Sequence, residues 1–377
     1  GVGALKIAVD GLVLGGRHSG VQTAVEHLAL SLGSEASSHE VGLVCTSRFK
    51  TRARQMAGLT PVPAPGYASY RPGRVLYETL FLGRQLKKRD CDILHAPAYI
   101  LPESWSGPSV LTVYDLIALD FPQWCKTANA LHFRLRLPRS IRAASAVIAP
   151  SETTADAIRR RFPEVTEKIR VVPLGIGEEF ERVEDPERLQ QVRDRYSLPE
   201  QFILYVGNIE PKKNIAGMVE AFERVADDID HHFILAGGKG WKCRKDLKRI
   251  EQSPYRERIR VTDWVAQEDL VVLYTLADIL VQWSLYEGVG LPPLEAMRCA
   301  TAAVVSDGGA LPELAGQVAQ VVPLGSAENL AEVLRRLLKD EQARAQIAKT
   351  GREFVRQFSW HEHARTVIEL YEEVAGG

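Results

Sequence analysis

Glu287 and Glu295 flank a turn that contains Gly288, Gly290, Pro292 and Pro293, directly after the apolar run ADILVQW (277 to 283). Such a run ending in glycines reads as a buried strand followed by a helix. Pro292 and Pro293 suit the first helical turn, where a missing N–H costs little. The helix is therefore predicted to begin near Leu291 and to run through Glu295 to Cys299. Gly288 and Gly290, with Val289 between them, let a ligand approach the main chain just ahead of a helix N-terminus, which is a place for phosphate. Acids touching that phosphate would repel it, so Glu287 and Glu295 are read as facing neutral donors, with sugar hydroxyls the expected ones. The plainer account, acids favoured by the helix dipole, fits Glu295 better than Glu287. A second group, YVGNIEPKKNI (205 to 215), puts Gly207 and Asn208 at another strand end and follows them with Lys212 and Lys213. Two such lysines can neutralise a diphosphate as point charges; a solvated pair is the ordinary alternative.

In open parallel α/β sheets ligands bind beyond the carboxyl ends of the strands, and both groups occupy such ends. Strands are predicted at 6–12, 41–46, 93–97, 109–115, 145–151 and 169–175, and a second series at 201–207, 232–238, 259–264, 278–283, 301–307 and 320–324. Helical periods separate them, so each half reads as a parallel sheet with crossover helices. The acidic, polar segment 178–200 is read as the linker between a domain at 1–178 and one at 195–357, and the last helix, 361–374, is expected to dock back on a domain.

Length and composition agree with this class: 377 residues, 45% hydrophobic and 25% charged, suffice for two globular domains. No apolar run approaches the roughly 20 residues that cross a bilayer, and the first residues lack a basic region before an apolar one, so a cytoplasmic location is expected. The five cysteines are spread without a CxxC pair and read as reduced thiols. Through residue 178 there are 22 Lys and Arg against 15 Asp and Glu, which leaves 25 against 33 of the chain's 47 and 48 for the remainder. The basic residues of the first half cluster at 83–89, at Arg134, Arg136, Arg139 and Arg142, and at Arg159 to Arg161. They read as solvated helix faces or as a surface for anionic lipid or an anionic acceptor. Nucleic acid is not expected, because the chain is near neutral and no aromatics interleave with the charges.

Taken together, SLYEGVGLPPLEA and VGNIEPKKN resemble the E-x7-E signature and the lysine segment of retaining glycosyltransferase family 4. The likeness continues through LTVYDLIALDFP, AVIAPSETTADAI, VVPLGI, VSDGGALPEL and FSWHEHA, in the family's order along nearly the whole chain. The resemblance implies the α/β GT-B fold, two Rossmann-like domains facing across a cleft. The second would hold a nucleotide sugar and the first the acceptor, with the C-terminal helix (361–377) crossing back to the first. It further implies that Glu287 holds hydroxyls of the transferred sugar, Glu295 the ribose, and Lys213 with Lys212 the diphosphate, joined by backbone N–H groups at Gly288, Val289 and Gly290. Gly20, in HSGVQ (18 to 22), takes the place of the family's glycine loop, and Trp264 and Val265 the place where backbone meets the base; packing is the alternative for Trp264.

Two departures stand out. Tyr114-Asp115 replaces the His-Asp of many relatives, which leaves the main-chain carbonyl there as the group beneath the anomeric carbon. Asn208 stands where some relatives place an arginine, so the two lysines must carry the phosphate. The implied reaction is transfer of a hexose with retention, the cations and N–H groups acting where negative charge develops on the leaving diphosphate. Mannose from a GDP donor is favoured by the EPKKN form, which looks like that of bacterial polysaccharide mannosyltransferases; UDP-hexoses, and a non-catalytic nucleotide-sugar sensor, are the alternatives. No metal or other cofactor is expected. The pairs Asp90/Asp92 and Asp228/Asp230 fall before a strand and in a turn, and no G-x-G-x-x-G follows the first strand. The acceptor is expected to be a glycan or a lipid-linked molecule, with peripheral contact at the inner face of the membrane. His95 is read as a core histidine in preference to an acceptor contact.

Overall fold

The computed structural model describes residues 3–15 and 19–376. It divides into two compact units: one formed up to Asp120, by Ala128–Gly175 and from Phe358 onward, the other by Phe121–Thr127 and Ile176–Gln357.

The first unit holds a seven-stranded, all-parallel sheet of β1 (Lys6–Asp10), β2 (Glu40–Cys45), β3 (Leu59–Pro63), β4 (Ile93–Ala96), β5 (Ser109–Thr112), β6 (Ala146–Ala149) and β7 (Ile169–Val171), in the order β3-β2-β1-β4-β5-β6-β7. Its central strands β4, β5 and β6 are buried at every residue, as expected where helices cover both faces. The segment that forms β3, LTPVP, escapes a pattern reading because it carries Pro61 and Pro63. Both are tolerated because β3 is an edge strand, with one side free of ladder bonds.

The second unit repeats the plan with β8 (Phe202–Val206), β9 (His232–Ala236), β10 (Ile259–Val261), β11 (Ile279–Gln282), β12 (Ala302–Ser306) and β13 (Gln320–Val322), in the order β10-β9-β8-β11-β12-β13. In both sheets the chain winds outward from one strand and then returns to that strand's other side. This is the doubly wound order of Rossmann-like domains.

Residues 178–200 do not form a simple linker. Asp185 caps a helix, Pro186–Arg195, whose Arg188 and Arg195 each reach the fully buried Asp269 at 2.6 Å. The segment reads as solvated because it is charged, yet its arginines are the partners of a buried acid.

The C-terminal helix Trp360–Gly376 belongs to the first unit and packs along the helix Gly20–Glu35. Trp360 stacks on His27, and Gly175 is required beneath it, because a Cβ there would meet the Trp360 nitrogen at 2.2 Å. Tyr371 reaches down to His95, whose ring nitrogens lie 2.6 Å from the Tyr371 hydroxyl and 2.8 Å from Thr112 Oγ1. Burial, with a smaller push from His363, depresses the imidazole to about 3, so His95 is a neutral, fully bonded core residue.

Candidate functional site

The switch point of the second sheet lies between β8 and β11, adjacent strands whose chains leave in opposite directions. The loop after β8 carries Lys212 and Lys213, and the loop after β11 carries Glu287. The Leu285 N–H donates to the Lys212 carbonyl at 2.7 Å, and the Asn214 amide donates to the Trp283 carbonyl at 3.2 Å. Asn214 adopts a left-handed conformation, φ 55°, to make that turn. On the other side the Glu287 carbonyl accepts from Ala310 N–H at 2.8 Å. Gly309, at φ 64°, has no room for a side chain, since a Cβ would meet the Glu287 oxygen at 2.2 Å. The backbone around Glu287 is thus clamped from two sides.

Its side chain is held as tightly. Gln282 Nε2 donates to Glu287 Oε1 at 3.0 Å, Ser284 Oγ donates to it at 2.8 Å, and Lys213 Nζ donates to the same oxygen. Lys212 Nζ lies 3.5 Å from Oε2. Burial alone would favour the neutral acid, but Lys213 and Lys212 reverse this and pull the carboxyl down to about 2. The result is a carboxylate ionised at neutral pH, with three donors converging on one of its oxygens, beside two cations at the carboxyl end of the sheet. Such a group can accept hydrogen bonds from hydroxyls while the lysines meet an anion.

Three members of this cluster carry weaker sequence signals. Gln282 is a polar residue inside a fully buried strand, and Ser284 follows it. Glu210, buried beside the lysines, is raised above its ordinary range by burial, with Lys213 and Lys212 opposing and Glu287 adding to the rise. Its position next to two lysines in sequence suggests a local surface pair, which conceals that it is inside.

The helix Leu291–Arg298 begins at the predicted residue, with Gly290 at φ 79° as its cap and prolines in its first turn. Glu295 lies on its buried side, where Tyr274 Oη donates to Oε2 at 2.6 Å. Val265 is buried, whereas Trp264 is 60% exposed, so core packing does not account for that ring. Asn208 is exposed, and its carbonyl accepts from Tyr205 Oη at 3.0 Å.

Tyr114, Asp115 and Gly20 belong to the first unit. Tyr114 is buried against Tyr99, burial raises its phenol far above the ordinary value, and its carbonyl accepts from Thr154 Oγ1 at 3.0 Å. Asp115 accepts from Tyr99 Oη at 3.2 Å and from Ile117 N–H at 3.0 Å, which caps a short helical turn. Gly20 opens the helix Gly20–Glu35 and is exposed; His18 of the same motif lies outside the described residues. Of the four arginines at 134–142, Arg134, Arg139 and Arg142 are exposed, Arg142 pairing with Glu164 at the surface at 2.7 Å, and fit the solvated-face reading; Arg136 is buried and does not. Among the described residues, no three His, Cys, Asp or Glu side chains stand together as a metal site. Asp92 instead accepts from Lys6 N–H at 2.7 Å, and Asp228 pairs with Arg335 at 2.7 Å.

Residues 18–180 match the family model described as Glycosyltransferase Family 4, and residues 190–354 match that of the glycosyl transferases group 1. Among curated proteins, the chain is 28% identical over 267 residues to the serotype-specific mannosyltransferase WbdA of Escherichia coli, covering 69% of this chain but 33% of that protein. The chain thus spans about a third of the length of that relative. It is also 28% identical over 282 residues to the O-antigen chain mannosyltransferase B of Escherichia coli, covering 74% of each chain. The fold is that of Anabaena HepE, solved in complex with UDP and glucose, with a TM-score of 0.75 at 18% identity over 98% of this chain and 100% of that one.

Proposed function

Because the chain belongs to the glycosyltransferases of family 4 and group 1, with the GT-B fold, we propose that it is a retaining hexosyltransferase that moves mannose from GDP-mannose to a hydroxyl of a glycan or lipid-linked acceptor. The observation that carries this reading is the buried Glu287 bonded to Lys213 and flanked by Lys212 at the switch point of the second sheet. In the reaction, Glu287 accepts hydrogen bonds from the sugar, and Glu295, steadied by Tyr274, accepts from the ribose. Lys212, Lys213 and the N–H groups of Gly288 to Gly290 take up the negative charge that grows on the departing diphosphate. The acceptor hydroxyl attacks from the face the diphosphate leaves and gives its proton to a phosphate oxygen, so the anomeric configuration is kept. The lysines supply the charge that a metal ion would otherwise bring, so EDTA should leave turnover unchanged; loss of activity in EDTA would remove this metal-free reading.

The donor half is tested by measuring hydrolysis of GDP-mannose and of UDP-glucose without acceptor, and proton NMR of the first-formed glycoside then reads retention. GDP-mannose turnover with an α product supports the proposal. UDP-glucose turnover alone would replace the donor, and an inverted product would overturn the mechanism.

The acceptor belongs to the first unit in this reading, at the cytoplasmic face of a membrane. Among the described residues no helix is long and apolar enough to span one. What supports a peripheral contact is the helix Thr127–Ala143, which exposes Leu131 and Leu135 one turn apart beside Arg134 and Arg139, while Leu76, Leu80 and Phe81 are exposed on the preceding helices. Binding to phosphatidylglycerol vesicles that falls with salt and with Leu131→Glu would bear this out; equal binding by that variant would remove the helix from the contact.

A further inference from the structure

The first unit contains a cavity of about 230 Å³ whose polar lining the reaction above does not use: Asp10, Arg71, Arg74, Glu78, Asn129 and His132. Asp10 is the last residue of β1 and Ala96, also in the wall, the last of β4. These strands are neighbours on which the winding of the first sheet reverses, so the cavity occupies that sheet's own switch point.

Its wall carries two arginines and two acids. Arg74 lies 3.6 Å from Glu78, and Arg136, buried behind the cavity, lies 3.7 Å from the same carboxylate, both beyond hydrogen-bonding distance. Arg136 Nε donates to Glu103 at 3.3 Å and Nη2 to Thr79 Oγ1 at 3.3 Å, while its buried Nη1 makes no hydrogen bond. Arg71 bonds the Asn129 side-chain oxygen and, among the described residues, forms no ion pair; burial and the neighbouring Arg74 both disfavour its charge. His132 is held neutral, lowered to about 4 by burial and then by Arg71, Arg136 and Arg74. The two acids balance these charges only in part: burial, with repulsion by Asp10, raises Glu78 to about 8, so it is neutral near pH 7, whereas Asp10 is raised by burial only to about 6. Among the lining acids, Asp10 alone is therefore left to offset Arg71 and Arg74 near neutral pH, in a space with room for one small group.

We propose that this cavity binds a phosphate ester, Arg71 and Arg74 meeting the phosphoryl oxygens while Asn129, His132 and Glu78 meet an adjacent hydroxyl. The planar forks of the two arginines suit bidentate contact with a tetrahedral anion. A phosphorylated sugar and the phosphate of a lipid carrier offer the same chemistry. That the ligand is the acceptor rests on the transferase reading; that the cavity takes a phosphate ester does not.

The test uses the purified protein without donor and follows binding of mannose 6-phosphate, inorganic phosphate and mannose by calorimetry. Mannose 6-phosphate should bind, inorganic phosphate should compete with it, and mannose should not bind. Arg71→Ala should weaken mannose 6-phosphate about tenfold or more, Arg71→Lys less, and Lys213→Ala, in the other unit, not at all. Binding should weaken as pH rises past about 8, where Glu78 loses its proton and repels the phosphate, and Glu78→Gln should remove that weakening, which a purely structural glutamate would not do. In a parallel arm, vesicles of phosphatidylcholine with phosphatidic acid replace the sugar phosphate, and binding that depends on Arg71 there but not with the sugar phosphate identifies the lipid as the source. Loss of phosphate binding in Lys213→Ala with none in Arg71→Ala, or no Arg71-dependent binding in either arm, overturns the proposal. Phosphate binding at Arg71 in a protein that hydrolyses no nucleotide sugar leaves the cavity standing and removes the transferase reading.

Discussion

In the second unit Glu287 is buried with two lysines, and in the first unit Glu78 is buried with two arginines, yet the two acids hold their protons in opposite ways. Glu287 receives hydrogen bonds from Gln282, Ser284 and Lys213 and is lowered to about 2. Glu78 faces Arg74 and Arg136 at 3.6 and 3.7 Å and shares its surroundings with Asp10, and it is raised to about 8. The ingredients are nearly alike, so geometry decides. The charges of Lys213 and Lys212, with the bonds from Lys213 and Ser284, outweigh burial around Glu287. Distant cations and a second acid leave burial the winner around Glu78. The two clusters differ in how closely the cations meet the carboxylate, not in the kinds of residue around it.

The contrast between the two acids breaks most sharply at Glu287. Glu287→Gln should lower kcat about a hundredfold, because contacts to the reacting sugar strengthen in the transition state, while affinity for GDP holds or rises as the lysines lose a competing acid. Steady-state kinetics beside GDP titration reads both, and an unchanged kcat would take Glu287 out of the sugar's reach.

Lys213→Ala comes next. It removes one charge-assisted phosphate contact and should weaken GDP by about 1.5 to 3 kcal/mol. Unaltered GDP affinity would make the pair with Glu287 purely structural.

For Glu78 the expected effect lies in the pH dependence of stability. An unfolded glutamate loses its proton near 4.5, whereas folded Glu78 keeps it to about 8, so between these values the folded chain carries more protons and stability falls as pH rises. Glu78→Gln should flatten that fall by up to about 1.4 kcal/mol per pH unit. Urea unfolding at several pH values across the window measures it, and parallel curves for the two proteins would show that Glu78 ionises normally. Glu287 predicts the reverse: its contribution is present above 4.5 and is lost only as pH falls toward about 2.

The smallest change is expected from Tyr274→Phe, which deletes the 2.6 Å bond to Glu295 and should weaken GDP by about 0.5 to 1.5 kcal/mol with kcat little affected. A kcat loss as large as that of Glu287→Gln would place Glu295 at the sugar instead.

Much of the fold and of the candidate site in the second unit is legible in the amino-acid order. Twelve of the strands follow from short apolar runs ended by glycine or polar turns, and β3 is hidden by two prolines that only an edge position permits. Lys212, Lys213 and Glu287 stand out because chemistry-bearing side chains directly after a buried strand have few structural reasons to be there. Arg136 is harder to read. It resembles its solvated neighbours Arg134 and Arg139, since charge spacing along one helix does not say which turn another helix covers.

Periodicity, proline and glycine act within a few residues, so the chain's own order fixes local matters: which runs become strands, where the helix at Leu291 starts, and which loops carry acids and lysines. Which of those groups meet is decided at the tertiary level alone. Lys213 and Glu287 are 74 residues apart, and Asp10, Glu78, His132 and Arg136 are gathered from well-separated stretches of chain. Their protonation depends on burial and on distances of a few ångströms between them. Those quantities exist only once the parallel strands are laid side by side and the helices have closed over them.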